Sequence, residues 1–261
     1  MNNILNYFSK THTPYLHAYT KKGTELLIEE LNLNKNDTIL EFGFGSGATL
    51  VKIKSIYPSI TIYGLDISEM MLKKATSRLK FCGLYKNIEL NQISMPFKFP
   101  YSNNFFDKIY IESVLGIVDE QYLNTILIEL FRVLKPQGKL VFNETVWLPE
   151  ITLTEMEKIN IACKNAFGIK QAQICYPYSL DWEKALKNIG FTNVKVSPFI
   201  LNNANSSTNR YEFLSKIYTY LGKINKINPK LIREMREYKK NMKSIYENKK
   251  YMEGYLFSSS K

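Results

Sequence analysis

Three glycines at alternate positions, Gly43, Gly45 and Gly47, follow an acid, Glu41, which itself ends the apolar run Thr38-Ile39-Leu40. A second acid, Asp66, ends the next such run, Ile60-Thr61-Ile62-Tyr63-Gly64-Leu65. These types at this spacing suit a bound ligand. Glycines between a strand and a helix permit positive φ and close backbone approach, and they leave N–H groups facing a ligand. An acid at the end of the second strand can accept both hydroxyls of a ribose. The spacing Glu41-x-Gly43-x-Gly45-x-Gly47 is not the dinucleotide pattern G-x-G-x-x-G. The leading acid disfavours a phosphate and favours a cation. The ligand expected therefore has a ribose and a positive end but no phosphate.

S-adenosylmethionine meets that description. The chain resembles the class I S-adenosylmethionine-dependent methyltransferases, in particular the small-molecule group that includes the ubiquinone/menaquinone-biosynthesis type. The resemblance covers residues 36–145 and has four marks in order. They are Leu40-Glu41-Phe42-Gly43-Phe44-Gly45-Ser46-Gly47, Gly64-Leu65-Asp66-Ile67-Ser68, Phe105-Phe106-Asp107-Lys108-Ile109-Tyr110, and Arg132-Val133-Leu134-Lys135-Pro136-Gln137-Gly138-Lys139-Leu140. The resemblance implies an α/β fold: a doubly wound, Rossmann-like seven-stranded sheet, mostly parallel with an antiparallel last strand, and helical additions. It implies S-adenosylmethionine as cofactor, with Glu41, Gly43, Gly45, Gly47, Asp66, Ile67, Ser94, Met95 and Glu112 as cofactor-binding residues. The family's Asp-Ala pair near the adenine falls at Ile93-Ser94 here, so the acid is missing. The Ser94 hydroxyl or the backbone would make that contact instead.

The elements that must position these residues follow from pattern and punctuation. A helix from Ala48 to Ile56 leaves the glycine turn and stops at Tyr57-Pro58. Ser68 caps a helix from Glu69 to Cys82, ended by Gly83. Strands are expected at Asn87–Gln92, Lys108–Glu112, Lys139–Glu144 and Asn193–Leu201. Between them, helices are expected at Thr24–Leu31, Asp119–Val133 and Thr152–Phe167, and one capped by Ser179 or Asp181 that runs to Asn188. Two more helical patterns, Arg210–Leu221 and Pro229–Lys249, precede Tyr251–Ser259, which resembles the family's closing strand. One domain over 1–261 is expected. It divides into an N-terminal arm 1–22, a core 23–202, a helical insertion 203–250 and the last strand 251–261. The arm either packs over the cofactor or covers the sheet edge.

Methyl transfer is an in-line displacement at a carbon activated by a sulfonium. The protein must hold donor and acceptor in line and exclude water. A base is needed only if the acceptor still carries its proton. His12, His17, Glu112 and Glu144 are the candidates. Rings that could wall an acceptor site include Tyr15, Tyr19, Trp147, Tyr178 and Tyr211. They suggest an apolar or aromatic acceptor, or an amine held against ring faces. The Asn/Asp-Pro-Pro-Tyr of base-amino methyltransferases has no counterpart at Ile111-Glu112-Ser113-Val114, so a nucleic-acid acceptor is disfavoured. A protein methyltransferase, and a cofactor-binding subunit without turnover, remain as alternatives. Polyamine-forming aminopropyl transferases share the fold but usually show an acidic amine site, and none is visible here.

Composition is that of a globular protein, with 45% hydrophobic and 23% charged residues in 261. No apolar run is long enough to span a membrane, and the N-terminus lacks a leader pattern, so a cytoplasmic location is expected. Cys82, Cys163 and Cys175 lack C-x-x-C spacing and imply reduced thiols and no metal. Residues 210–261 carry 13 Lys and Arg against 5 Asp and Glu, a net +8 of the chain's +11. This reads either as a solvated helical face or as a surface for an acidic partner.

Overall fold

The computed structural model describes residues 4–14, 20–199, 209–224, 228–247 and 249–261. Its seven-stranded sheet has the order β3-β2-β1-β4-β5-β7-β6. The strands are β1 (Thr38–Phe42), β2 (Thr61–Asp66), β3 (Ile88–Gln92), β4 (Phe106–Glu112), β5 (Leu134–Trp147), β6 (Thr192–Pro198) and β7 (Met252–Ser260). β1 pairs in parallel with β2 and β4, and β7 lies antiparallel between β5 and β6. The central strands read as nearly continuous apolar runs because helices cover both faces; Ile109, Tyr110 and Ile111 are all buried.

One face carries α2 (Thr20–Leu31), α3 (Ala48–Ile56) and α4 (Glu69–Phe81), packed with Leu27, Leu31, Leu50, Ile53 and Leu79 over Ile39 and Ile62. The other carries α5 (Glu120–Val133) and α7 (Ser179–Ile189), around Leu123, Leu127, Trp182 and Phe257. A third cluster gathers beyond the carboxyl end of β5. There α1 (Ile4–Lys10), α6 (Leu153–Phe167) and α9 (Pro229–Tyr246) close over Trp147 with Tyr7, Phe167, Leu231 and Tyr238. The remaining helix, α8 (Arg210–Ile224), lies across α3 and α4. The basic 210–261 stretch is therefore two helices in two different layers, followed by β7.

Several boundaries move for local reasons. β5 starts at Leu134, not Lys139, because Leu134 pairs with Phe106 and Lys261 bonds the backbone of Gln137 and Gly138 across a register shift. α7 is capped by Tyr178, whose backbone N–H is accepted by the Asp181 carboxylate at 3.1 Å; neither Ser179 nor Asp181 is the cap. α9 stops at Tyr246, short of Lys249, because Glu247 turns to φ 44°. β6 ends at Pro198, and the expected continuation to Leu201 runs into residues outside the described set. The arm contains one short helix, α1. Tyr15, His17 and Tyr19 lie outside the described residues.

Candidate functional site

The carboxyl ends of β1, β2 and β4 bring the motif residues together. Gly43, Gly45 and Gly47 all take positive φ, at 82°, 48° and 76°. The turn is also tightly enclosed: a Cβ on Gly43 would run into Val114, and one on Gly47 would come within 2.9 Å of the Ala75 Cβ. Asp66, at the tip of β2, closes the loop from beside it. Its Oδ2 accepts from Gly45 N–H at 2.9 Å and its Oδ1 from Ser68 N–H at 2.8 Å. Burial pushes the Asp66 carboxyl above its usual range, and those N–H donors pull in the opposite direction. Each oxygen keeps a second lone pair for a ligand hydroxyl.

Two further carboxylates stand on the neighbouring strands. Glu41 lies beside Tyr110 in the β1–β4 register and accepts its hydroxyl at 2.8 Å. Burial, and then the nearby Glu112 charge, raise the Glu41 pKa well above the ordinary carboxylate value; the Tyr110 hydrogen bond opposes this, and Asp66 adds to it. Glu112, at the tip of β4, accepts the Thr49 hydroxyl at 2.7 Å. Acids so close together cannot all hold a charge at low cost unless a cation joins them. Ile67 and Met95, which follow β2 and β3, are 60% and 58% exposed, so two large apolar side chains flank the loop uncovered.

On the β4–β5 side, Ser113 sits at φ 52°, a conformation that costs a non-glycine residue about 1–3 kcal/mol. It is held there by Asn143: Ser113 N–H donates to the Asn143 carbonyl and the Ser113 hydroxyl to Asn143 Oδ1, both at 3.0 Å. Among the described residues Asn143 Nδ2 is buried without a hydrogen-bond partner. Glu144 is buried beside Gly116, where a Cβ would come within 2.6 Å of Glu144 Oε2.

A family model for a methyltransferase domain matches residues 39–138. Residues 39–138 form a methyltransferase domain. The chain is 33% identical over 112 residues to the uncharacterized methyltransferase YdaC of Bacillus subtilis (strain 168), covering 43% of this chain and 58% of that protein. It is 29% identical over 203 residues to the demethylmenaquinone methyltransferase of Anoxybacillus flavithermus, covering 70% of this chain and 80% of the relative. Among solved structures, phosphoethanolamine N-methyltransferase 2 of Haemonchus contortus with S-adenosyl-L-methionine superposes with a TM-score of 0.68 at 14% identity. That match covers 98% of this chain and 56% of the worm protein, and it shows a shared fold. The chain thus spans under two thirds of the length of both the Bacillus and the Haemonchus protein.

Within the methyltransferase domain the expected cofactor residues Glu41, Gly43, Gly45, Gly47, Asp66, Ile67 and Glu112 stand at one end of the sheet, and Ser94 and Met95 follow β3 at the same end. Glu144 stands at that end on β5. The expected acceptor rings behave differently. Trp147 is 1% exposed, with its indole N–H donating to the Gln173 carbonyl at 3.0 Å. Tyr178 packs against the α1–α6–α9 cluster and Tyr211 against the core under α2 and α3. Trp147 is a core ring in this packing, because large apolar side chains gain most from burial, and Tyr178 and Tyr211 are half-buried at the edges of their clusters. His12 is not poised as a base. Its Nε2 meets Lys74 Nζ at 2.8 Å, its Nδ1 meets the Tyr218 carbonyl at 3.2 Å, and burial lowers its pKa.

Thr49 carried no signal in the sequence; Tyr110 stood in the third mark, and Ser113 and Asn143 at the ligand ends of their strands, but nothing there showed the hydrogen bonds they make. Tyr110 offered one faint signal, a phenol between Ile109 and Ile111. Among the described residues no group of three His, Cys, Asp or Glu could hold a metal, and no helix is long and apolar enough to cross a membrane.

Proposed function

We propose that this chain transfers a methyl group from S-adenosylmethionine to a small-molecule acceptor. The observation that carries the reading is the placement of Glu41, Asp66 and Glu112 around a positive-φ glycine turn at the carboxyl ends of the strands. The residues present fit the cofactor. Asp66 would accept the ribose hydroxyls, Ile67 and Met95 would cover the two faces of the adenine, and Glu41 and Glu112 would face its cationic part. The cofactor supplies the activated methyl group. The chain's own residues hold it in line and keep water away.

The acceptor lies, in this reading, beyond β4 and β5, where Ser113, Gly116, Asn143 and Glu144 meet the α1–α6–α9 cluster. The buried Asn143 Nδ2 donor suits an oxygen on the acceptor, since a buried donor without a partner is costly. The apolar cluster beyond β5 suits a hydrophobic body. The likeness to a demethylmenaquinone methyltransferase agrees with a ring-bearing acceptor.

Titration calorimetry with S-adenosylmethionine and S-adenosylhomocysteine tests the cofactor half. Saturable binding is expected, with none for nicotinamide dinucleotides. Asp66→Ala should lose about 1.5–3 kcal/mol for each ribose hydrogen bond removed. Unchanged affinity in Asp66→Ala would sink the ribose assignment. A labelled-methyl assay against quinols, phenols and amines tests the rest; saturation without product would favour a binding subunit.

A further inference from the structure

One side chain outside the motifs touches the glycine turn and two distant segments of the chain at once. Arg78, on α4, is 0% exposed. Its Nε donates to the Ser46 carbonyl at 2.8 Å and its Nη2 to the His12 carbonyl at 2.9 Å. Its Nη1 donates to the Ser215 and Thr219 hydroxyls of α8 at 2.8 and 3.1 Å. The Tyr218 ring lies 4.9 Å from its guanidinium carbon. Ser46 stands between Gly45 and Gly47, and its own hydroxyl donates to the Thr13 carbonyl at 3.0 Å. A single planar fork thus joins the turn, the chain after α1, and α8.

We propose that Arg78 is a positioning residue for the cofactor turn, acting through Ser46, and that it makes the turn, the segment His12–Thr13 and α8 move as one unit. The proposal rests on the cofactor reading given above. Holding the Ser46 carbonyl fixes the peptide plane it shares with the Gly47 N–H, which donates to the Phe44 carbonyl at 2.9 Å, just after the Phe44–Gly45 plane whose N–H Asp66 holds. Glycines alone would leave those planes loose, since each has the widest choice of φ and ψ. Only the guanidinium can do this: it presents five donors in a rigid plane, whereas a lysine ammonium offers three on a flexible stem. The arrangement also accounts for the burial of a cation here, because carbonyls and hydroxyls surround it from three directions.

The test uses the full chain with Arg78→Lys, and the double variant Ser215→Ala/Thr219→Ala, which keeps Arg78 but loosens its α8 side. S-adenosylhomocysteine affinity and ligand-free amide hydrogen exchange are measured on the folded protein. Arg78→Lys should bind S-adenosylhomocysteine about tenfold more weakly, with faster exchange at Gly43–Gly47, at Thr11–Thr13 and in α8 together. If Arg78→Lys does not fold, the double variant decides: a weakening of about threefold with the same joint rise in exchange supports the proposal. A purely structural role would lower the melting temperature yet leave the folded protein's affinity and turn exchange unchanged, and that result in either variant overturns the proposal. If the wild-type chain binds no S-adenosylhomocysteine, the functional reading fails and the cofactor role of Arg78 with it. The ligand-free exchange pattern still shows whether the three segments are coupled.

Discussion

The two helices between β6 and β7 are held to the molecule by different balances of contact. α8 packs Tyr211 and Leu214 on the core but is fixed largely through buried polar groups. Buried Lys52 on α3 lies 3.0 Å from both Glu212 of α8 and Glu25 of α2, Lys21 reaches Glu212 at 2.9 Å, and Arg78 donates to Ser215 and Thr219. Burial alone would raise the Glu212 carboxyl, but hydrogen bonds from Lys21 and Lys52 outweigh it and hold the pKa below the usual value. α9 is attached through apolar surface. Leu231 and Tyr238 are buried against Tyr7 and Phe167, with the Tyr7 and Tyr238 rings edge to face at 5.8 Å. The difference teaches what each helix can be used for. Polar attachment is directional and fixes α8 in one register beside the cofactor turn. Apolar attachment is tolerant of sliding and suits a cluster that closes over an acceptor space.

The largest test removes both helices. It replaces 208–248 by a short linker, which takes Glu212 from Lys52 and takes Ser215 and Thr219 from Arg78. No cooperative unfolding transition should remain in the deleted chain; a folded, cofactor-binding product would show that α8 is as dispensable as any loop.

Next comes Glu212→Ala, which leaves the buried Lys52 with one partner fewer. It should cost about 3–5 kcal/mol in urea unfolding, and Glu212→Leu combined with Lys52→Met should recover most of that. A loss below about 1 kcal/mol would place this pair with ordinary surface bridges. Leu231→Ala on α9 should cost about 2–5 kcal/mol through the cavity it leaves. Its exchange signature should stay within α1, α6 and α9. Faster exchange at the glycine turn would erase the contrast between the two helices.

The smallest effect concerns Glu41. Its folded pKa is raised above the unfolded value, so the folded state holds the proton while the unfolded state releases it. Stability from this group is complete below about pH 4.5 and declines as pH rises toward the folded pKa. Glu41→Gln should therefore melt higher than wild type at neutral pH and equal to it near pH 4, while binding S-adenosylmethionine less well. Equal melting curves at both pH values would show that Glu41 is ionised in the ligand-free protein.

The half of the molecule around β1, β2 and β4 could be read from the chain because its signals are local. A glycine's φ, a Ser68 cap on Met71 N–H, and an acid at a strand tip are each set by residues near in sequence. The helix Ala48–Ile56 needed no revision for the same reason. The closing strand was legible as a strand and by resemblance as antiparallel, but only the sheet shows it pairing with both β5 and β6.

What the chain by itself determined is the cofactor end: an apolar strand, a turn that only glycines fit, and a second strand ending in Asp66. Tertiary structure alone decided which polar groups meet there. Arg78 and Ser215 are 137 residues apart, Lys52 and Glu212 are 160 apart, and Ser113 and Asn143 are 30 apart. No periodicity or local propensity records such pairs, because a buried cation or amide finds its partner through the packing of whole helices and strands. The aromatic rings show the same limit from the other side. Composition gives their number, but whether Trp147 or Tyr211 faces a ligand or the core depends on which layers close over it.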